Sequence, residues 1–390
     1  MKKVIVYRKE LLRVSETFIK AQVQSYRKWE AVLYGERLWP DGLDLDGLKF
    51  RTLLEGNPGR VSRVCAKARQ LAGLVTPSIH RHFQEEHANI FHAHFGQDGV
   101  LSWPYTRRLN IPLVVTLHGH DAILLPSAYR GRAEGFQQMW YPAQLRKLAK
   151  RENVHFIAVS NVLRQTAIDL YSIPAHRIVT CYTGIDTRQF LPLGKPIVER
   201  SCSVLFVGRL VEMKGCAYLL AAFEQVSQVL PMAELVVIGD GPLRAELEHE
   251  ARARRLSARF LGAVNPQTVR RNLSEARVLC LPSVTEANGN FESFGMVLLE
   301  AQACGVPVVT SARSGKEVVR HEETGLVVPE KDVRALAASL LELLMNDDLS
   351  AKMAAAGPEH VRRNFDIAAC TARIEDYYSD ILNCAQEQGC

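Results

Sequence analysis

The sequence predicts an α/β protein of two doubly wound units, each a parallel sheet with helices on both faces. Three observations predict it. Short apolar runs alternate with helical stretches along both halves of the chain. Its 390 residues are enough for two or three domains. Between the halves, residues 191–201 (LPLGKPIVERS) break the periodicity with two prolines and a glycine. The expected domains are therefore 1–195 and 196–364. A tail over 365–390 is helical in pattern, and periodicity alone does not place it.

In the first half, apolar runs at 3–7, 31–34, 90–93, 113–117, 156–160 and 178–182 read as strands. Amphipathic or polar-helical stretches lie between them, such as 18–27, 61–74 and 137–150. Ser15 or Thr17 is the expected N-cap of the first helix, and its N-terminus could also bind an anion. The second half repeats the pattern more cleanly. Strands are expected at 203–207, 234–238, 259–261, 278–281, 306–310 and 324–328. Helices are expected at 216–230, 242–254, 268–275, 296–303 and 332–345. Pro242 suits the first position of its helix.

Composition excludes several classes. No window of 18 residues is uninterruptedly apolar, so no transmembrane helix is expected. The apolar run at 4–7 is too short for a signal peptide. The nine cysteines are scattered without metal-ligand spacing, as reduced thiols of a cytoplasmic protein would be. Charge is uneven. Residues 1–195 carry 28 Lys and Arg against 16 Asp and Glu, whereas residues 196–390 carry 20 against 26. One half is thus suited to an anionic partner. Arg60, Arg63, Lys67 and Arg69 lie close together on the helix expected at 61–74, with Val61, Val64 and Leu71 apolar. A membrane-facing helix and a merely solvated face both fit that pattern.

The most informative stretch is 285–309, TEANGNFESFGMVLLEAQACGVPVV. Glu292 stands just before a helix start at Met296, Gly295 precedes that start, and Glu300 lies about one turn in. Helix-start amides favour an anion, and the two carboxylates favour hydroxyl-rich groups on either side of it. A sugar, a diphosphate and a ribose fit end to end. The loop 208–215 follows the first strand of the second half, where ligands collect in open α/β sheets. There Arg209 can grip a diphosphate as a fork and Lys214 as a point charge. A solvated surface loop is the competing reading. Gly239 and Gly241 fit a tight turn, and a ligand role for them needs the neighbouring loops. His92, His94, His118, His120 and Asp121 end two strands of the first half. Their spacing raises a metal site, but it supplies no evident third or fourth ligand.

Together, VGRLVEMKG, VIGDGPLR, ARFLGAV, YTGID, the Glu-seven-residues-Glu pattern from Glu292 to Glu300 and GKEVVRHEETGLVVPEKD resemble the retaining glycosyltransferases of family four, with the GT-B fold. HAHFG, TLHGHD and SETFI look like the bacterial exopolysaccharide members, of colanic acid or amylovoran type. The resemblance implies two Rossmann-like domains facing across a cleft, with the C-terminal helix packing back on the first. It implies a nucleotide-sugar donor, most commonly UDP-linked in the family, and neither metal nor other cofactor. By position, Glu300 would hold the ribose and Glu292 the sugar hydroxyls. The amides of Phe294, Gly295, Met296 and Val297 would meet sugar and diphosphate. Arg209 and Lys214 would neutralise the leaving group, with Gly208, Gly239, Gly241 and Leu261 completing the donor site. His118 would lie by the sugar as a catalytic residue beside Glu292, Arg209 and Lys214. Ser15, Glu16, Thr17, His94 and Asp121 would be on the acceptor side.

The chain departs from the family pattern in three places. Residues 8–15 replace the usual Gly-Gly loop, Ser293 replaces a common Gly, and Thr183 replaces a common Asn. The expected activity is transfer of a sugar to a saccharide acceptor, such as a lipid-linked oligosaccharide at the inner membrane face. Two readings compete with it. One is a soluble enzyme acting on an aminoglycoside or sugar phosphate. The other is a non-catalytic protein binding an anionic surface. No nucleic-acid partner is expected.

Overall fold

The computed structural model describes residues 1–54, 74–129, 136–193 and 195–387. The basic helix expected at 61–74 falls almost wholly outside these residues. The described chain forms two compact units.

Unit 1 holds residues up to Gly184 and returns from Ile367 onward. Its sheet has seven parallel strands. They are β1 (Lys2–Tyr7), β3 (Trp29–Gly35), β5 (Phe50–Thr52), β6 (Ile90–His94), β7 (Leu113–Leu117), β8 (Val154–Ala158) and β9 (Ile178–Thr180). The order is β5-β3-β1-β6-β7-β8-β9. A two-residue ribbon pairs β2 (Glu10–Leu11) with β4 (Arg37–Leu38). Val4, Ile5, Val6 and Tyr7 are fully buried, because a parallel strand covered on both faces reads as a continuous apolar run. The helices are α1 (Thr17–Ser25), α2 (Pro77–Glu85), α3 (Gly96–Leu109), α4 (His120–Ile123), α5 (Phe136–Ala149) and α6 (Asn161–Tyr171). Ser160 caps α6 by accepting the Leu163 amide at 3.1 Å.

Unit 2 spans Ile185–Asp366. Its six parallel strands are β10 (Ser203–Val207), β11 (Glu234–Ile238), β12 (Ala258–Gly262), β13 (Val278–Leu281), β14 (Val308–Ser311) and β15 (Gly325–Val328). Their order is β12-β11-β10-β13-β14-β15. The helices are α7 (Cys216–Val229), α8 (Arg244–Ala253), α9 (Pro266–Glu275), α10 (Met296–Ala303), α11 (Ala312–Val318), α12 (Val333–Met345) and α13 (Asp347–Phe365).

The last helix, α14 (Ile367–Glu387), belongs to unit 1. Glu375 on this helix is buried and accepts the backbone amides of Arg27, Lys28 and Trp29 at 2.9, 2.7 and 2.9 Å. Tyr378 is fully buried and bonds the Tyr26 hydroxyl at 2.8 Å. Three donors on one carboxylate tie the chain's last helix to its first turns.

Several expectations shift. The chain enters unit 2 at Ile185, before the boundary expected at 195. There the Ile185 amide bonds the Phe365 carbonyl at 2.9 Å and Ile185 bridges Asp366, so both crossings of the chain are stitched together inside unit 2. The proline-rich break at 191–201 is therefore a loop of unit 2. Neither Ser15 nor Thr17 caps α1. Glu16 is the N-cap, and its carboxylate is taken by Arg8 and the Arg13 amide. The helix expected from Pro242 starts at Arg244, because the Leu243 and Arg244 amides turn back onto the carbonyls of Leu210 and Gly241.

Candidate active site

In unit 2 the strand order reverses between β10 and β13. Loops leaving the carboxyl ends of such neighbours flank a crevice where open α/β sheets bind ligands. The 208–215 loop leaves β10 and the 282–295 loop leaves β13. They are stitched to each other: the Val284 amide bonds the Met213 carbonyl at 2.8 Å, and the Met213 amide bonds the Glu286 carboxylate at 3.1 Å. Gly215 has φ +72°, and a Cβ there would fall 1.8 Å from the Pro282 carbonyl oxygen.

Four expected donor residues converge at this point. The Lys214 stem runs beside Gly208, whose Cβ position lies 3.7 Å from the Lys214 Cδ. The Lys214 ammonium is ion-paired with Glu292, and both are largely buried, at 19% and 13% side-chain exposure. The Glu292 stem in turn lies 3.7 Å from the Cβ position of Gly295. Arg209 differs: it is exposed, and its guanidinium has no ion pair or hydrogen-bond partner among the described residues.

Gly295, at φ +76°, is the N-cap of α10 and supplies no side-chain cap. The first amides of a helix have no partner within it, so this start offers N–H donors and the positive dipole end. Met296 and Val297 are half-buried there. Phe294 is buried and packs edge-on against Phe365, fixing the loop's entry into the helix. Glu300 sits on the same helix. Burial of its carboxyl pushes the pKa up to about 7, against a lowering influence from Arg270.

Gly239 and Gly241 have steric reasons to be glycine. A Cβ on Gly239 (φ +138°) would lie 1.9 Å from the Gly208 carbonyl oxygen, and one on Gly241 2.3 Å from that of Leu210. Their turn therefore supports the 208–215 loop directly. Leu261, in β12, is 39% exposed, a large apolar side chain left open. Two further carboxylates support these loops. Glu286 accepts the Met213 amide and, from Asn288 and Asn290, side-chain amides at 3.1 Å. Glu330 accepts the Thr285 amide and hydroxyl at 2.8 and 3.1 Å. Sequence spacing carries no sign that a carboxylate faces a backbone amide, so neither is legible from the sequence.

In unit 1 the order reverses between β1 and β6. Arg8 leaves β1 and fills the place of the missing Gly-Gly loop. It donates to Glu16 at 2.9 and 3.1 Å and to Asp98 at 2.7 Å, and it stacks over Phe95. Asp98 also accepts the Lys9 amide at 2.8 Å. Glu16 is thus a buried partner of Arg8, while Ser15 and Thr17 are exposed at the loop's end.

The histidines at the ends of β6 and β7 stack in a row. His92 and His94 lie 4.6 Å apart between ring centres, and His94 and His118 5.2 Å. Phe18 and Phe95 flank His118 at 4.8 and 4.6 Å. His94 Nδ1 and His118 Nε2 are 2.9 Å apart, so two neutral rings share one proton there. Burial lowers the pKa of His92 and of His118 to about 3 and that of His94 well below its usual value. At neutral pH His118 is a hydrogen-bonding imidazole and a poor proton acceptor. Asp121 is buried and accepts the amides of Gly96, His118 and Gly119 at 2.8, 3.0 and 2.8 Å. It shapes the loop that presents His118. Among the described residues, no three or more His, Cys, Asp or Glu side chains are grouped to hold a metal.

Comparison with known proteins agrees with this geometry. The family model for glycosyl transferases group 1 matches residues 193–360, and that for glycosyltransferase family 4 matches residues 48–189. The D-inositol 3-phosphate glycosyltransferase of Xylanimonas cellulosilytica is 30% identical, over 79% of this chain and 75% of that protein. The amylovoran biosynthesis glycosyltransferase AmsK of Erwinia amylovora is 31% identical, over 66% of this chain and 61% of that one. In fold, the chain is similar to Anabaena Alr3699/HepE, crystallised in complex with UDP and glucose. The TM-score is 0.75, at 20% identity, over 97% of this chain and all of that one. The chain therefore belongs to glycosyltransferase family 4 and has the GT-B fold of two Rossmann-like domains.

Proposed function

We propose that the protein is a retaining, metal-independent glycosyltransferase that moves a sugar from a UDP-linked donor to a saccharide acceptor. The acceptor is a lipid-linked oligosaccharide of exopolysaccharide or lipopolysaccharide assembly. The supporting observation is the cluster at the strand-order reversal of unit 2: Arg209, Lys214, Glu292 and the uncapped start of α10, with Glu300 a turn further in. Cations and helix amides stabilise a departing diphosphate, which is the charge that develops in the transition state. In a same-face displacement the departing phosphate oxygen takes the acceptor's proton. No nucleophilic carboxylate of the retaining-glycosidase kind is then required. His118 hydrogen-bonds a substrate hydroxyl as a neutral ring.

Unit 1 carries the acceptor, near Ser15, Thr17 and the histidine row. The relative from amylovoran biosynthesis favours a polysaccharide pathway. The relative named for inositol 3-phosphate favours a small phosphorylated acceptor, the second reading. No described helix is long and apolar enough to cross a membrane. Attachment at the inner membrane face would rest on the basic first half of the chain.

The test incubates the protein and a panel of UDP- and GDP-sugars with lipid-diphosphate saccharides or with inositol phosphate, with and without EDTA. Products are read by mass spectrometry and proton NMR. The expected result is an axial or equatorial anomeric bond matching the donor, on the lipid-linked acceptor, undiminished by EDTA. An inverted linkage, or turnover that stops without metal, overturns the mechanism. Turnover of inositol phosphate alone selects the second reading.

A further inference from the structure

The two cations of the 208–215 loop are in different states. Arg209 is exposed and unpartnered among the described residues, ready for an anion. Lys214 is already committed to Glu292, in a pair whose members are both largely buried. Resting on the donor-site reading above, we infer that the Lys214–Glu292 pair makes this site select the intact nucleotide sugar over the free nucleoside diphosphate, and re-forms to expel the diphosphate product.

The argument is one of charge. A diphosphate that takes Lys214 strips Glu292 of its counter-ion. An uncompensated, largely buried carboxylate is costly, and here an anion would arrive beside it. A free diphosphate offers Glu292 nothing in exchange. A nucleotide sugar does, because its hydroxyls can donate to the carboxylate oxygens that Lys214 releases. Hydrogen bonds from neutral donors to a charged acceptor are among the stronger ones. The geometry allows the exchange locally. The Lys214 stem lies against Gly208 and the Glu292 stem against Gly295, at the uncapped start of α10, so neither side chain needs to travel far.

After transfer the hydroxyls leave with the new glycoside. Glu292 then loses its donors while the diphosphate remains, and recapture of Lys214 by Glu292 favours release. Arg209 has no such coupling to a carboxylate, and as a cation it serves the more highly charged free diphosphate at least as well as the donor. A ligand can shift an equilibrium only by its differential interaction with the two states, and Glu292 supplies that difference.

The test is isothermal titration of the full chain with UDP, UDP-glucose, GDP and GDP-mannose, on the wild type and three variants. For the pair that binds, the wild type should prefer the sugar nucleotide by on the order of tenfold, the scale of a single coupling free energy. Glu292→Gln removes the competing charge. It should tighten the free diphosphate by roughly fivefold or more and weaken the sugar nucleotide, so that the preference collapses. Arg209→Ala should weaken both ligands, the free diphosphate at least as much as the sugar nucleotide, and so not lower the preference. Lys214→Met should weaken both and shrink the preference, because binding of the free diphosphate no longer takes a counter-ion from Glu292; an undiminished preference in this variant also overturns the inference. Glu292→Gln weakening both ligands equally, or failing to tighten the free diphosphate, overturns the inference and leaves the donor site standing. If the wild type binds none of the four ligands, the donor-site reading itself falls and the inference with it. Melting curves of each variant separate these results from misfolding.

Discussion

If Glu300 holds the ribose of the donor, as the proposed function has it, donor affinity should depend on pH. Burial raises its folded-state pKa to about 7, so near neutrality it is partly protonated. Ribose hydroxyls donate to a carboxylate, and the ionised form is the one that binds them best. If only that form binds, the apparent dissociation constant is the intrinsic one multiplied by 1 + 10^(pKa − pH). The factor is about elevenfold at pH 6, about twofold at pH 7 and close to one at pH 8. Affinity should therefore rise about tenfold from pH 6 to pH 8, worth about 1.4 kcal/mol. A nucleotide sugar is the ligand of choice, since its diphosphate diester does not titrate in this window. Glu300→Gln should bind more weakly at pH 8 and show a flat profile. A wild-type affinity unchanged between pH 6 and 8, or the same slope in Glu300→Gln, refutes the assignment of Glu300 to the ribose.

Two further predictions concern unit 1. Glu375→Ala orphans three amide donors, one buried and two part-buried, that share one carboxylate oxygen, which should cost about 3–5 kcal/mol. The melting transition of unit 1 should then fall by roughly 6–20 °C, with Glu375→Gln losing clearly less. A shift of under about 2 °C would show that the last helix is held by other contacts. His92 is held neutral with a pKa of about 3, against about 6.5 in an unfolded chain. Its contribution is complete above the unfolded value and is lost as pH falls from there toward the folded value. Denaturant titrations at pH 7 and pH 5 should differ by about 2 kcal/mol from this residue alone. An imidazole resonance of folded His92 titrating near pH 6.5 sinks that account.

Much of the second half was legible because its signals are local. The strand at 234–238 and the helix starting at Met296 follow from apolar periodicity and from one glycine at positive φ. Periodicity reports which face of an element is buried, and unit 2 buries its strands on both faces except the edge strand β12. The first half was less legible where chemistry replaces pattern. Nothing in the spacing of Arg8, Glu16 and Asp98 indicates that they form one ion-paired knot, since Asp98 stands ninety positions away from Arg8. Nor does the spacing show that Asp121 is enclosed among the amides of Gly96, His118 and Gly119.

By itself, then, the sequence determined the alternation of strands and helices, the tight turn at Gly239 and Gly241, and the carboxylates bracketing the start of α10. These depend on residues within a few turns of one another. Only the tertiary structure decided that the chain crosses between units at Ile185 and not at the proline-rich break. It alone decided that the returning last helix is held by Glu375 on the amides of Arg27, Lys28 and Trp29 and by Tyr378 on Tyr26, and that Lys214 rests on Glu292. Each of these is a pairing across a long stretch of chain. Such a pairing is chosen by the burial and charge that remain unsatisfied once the local elements have formed, which no local pattern encodes.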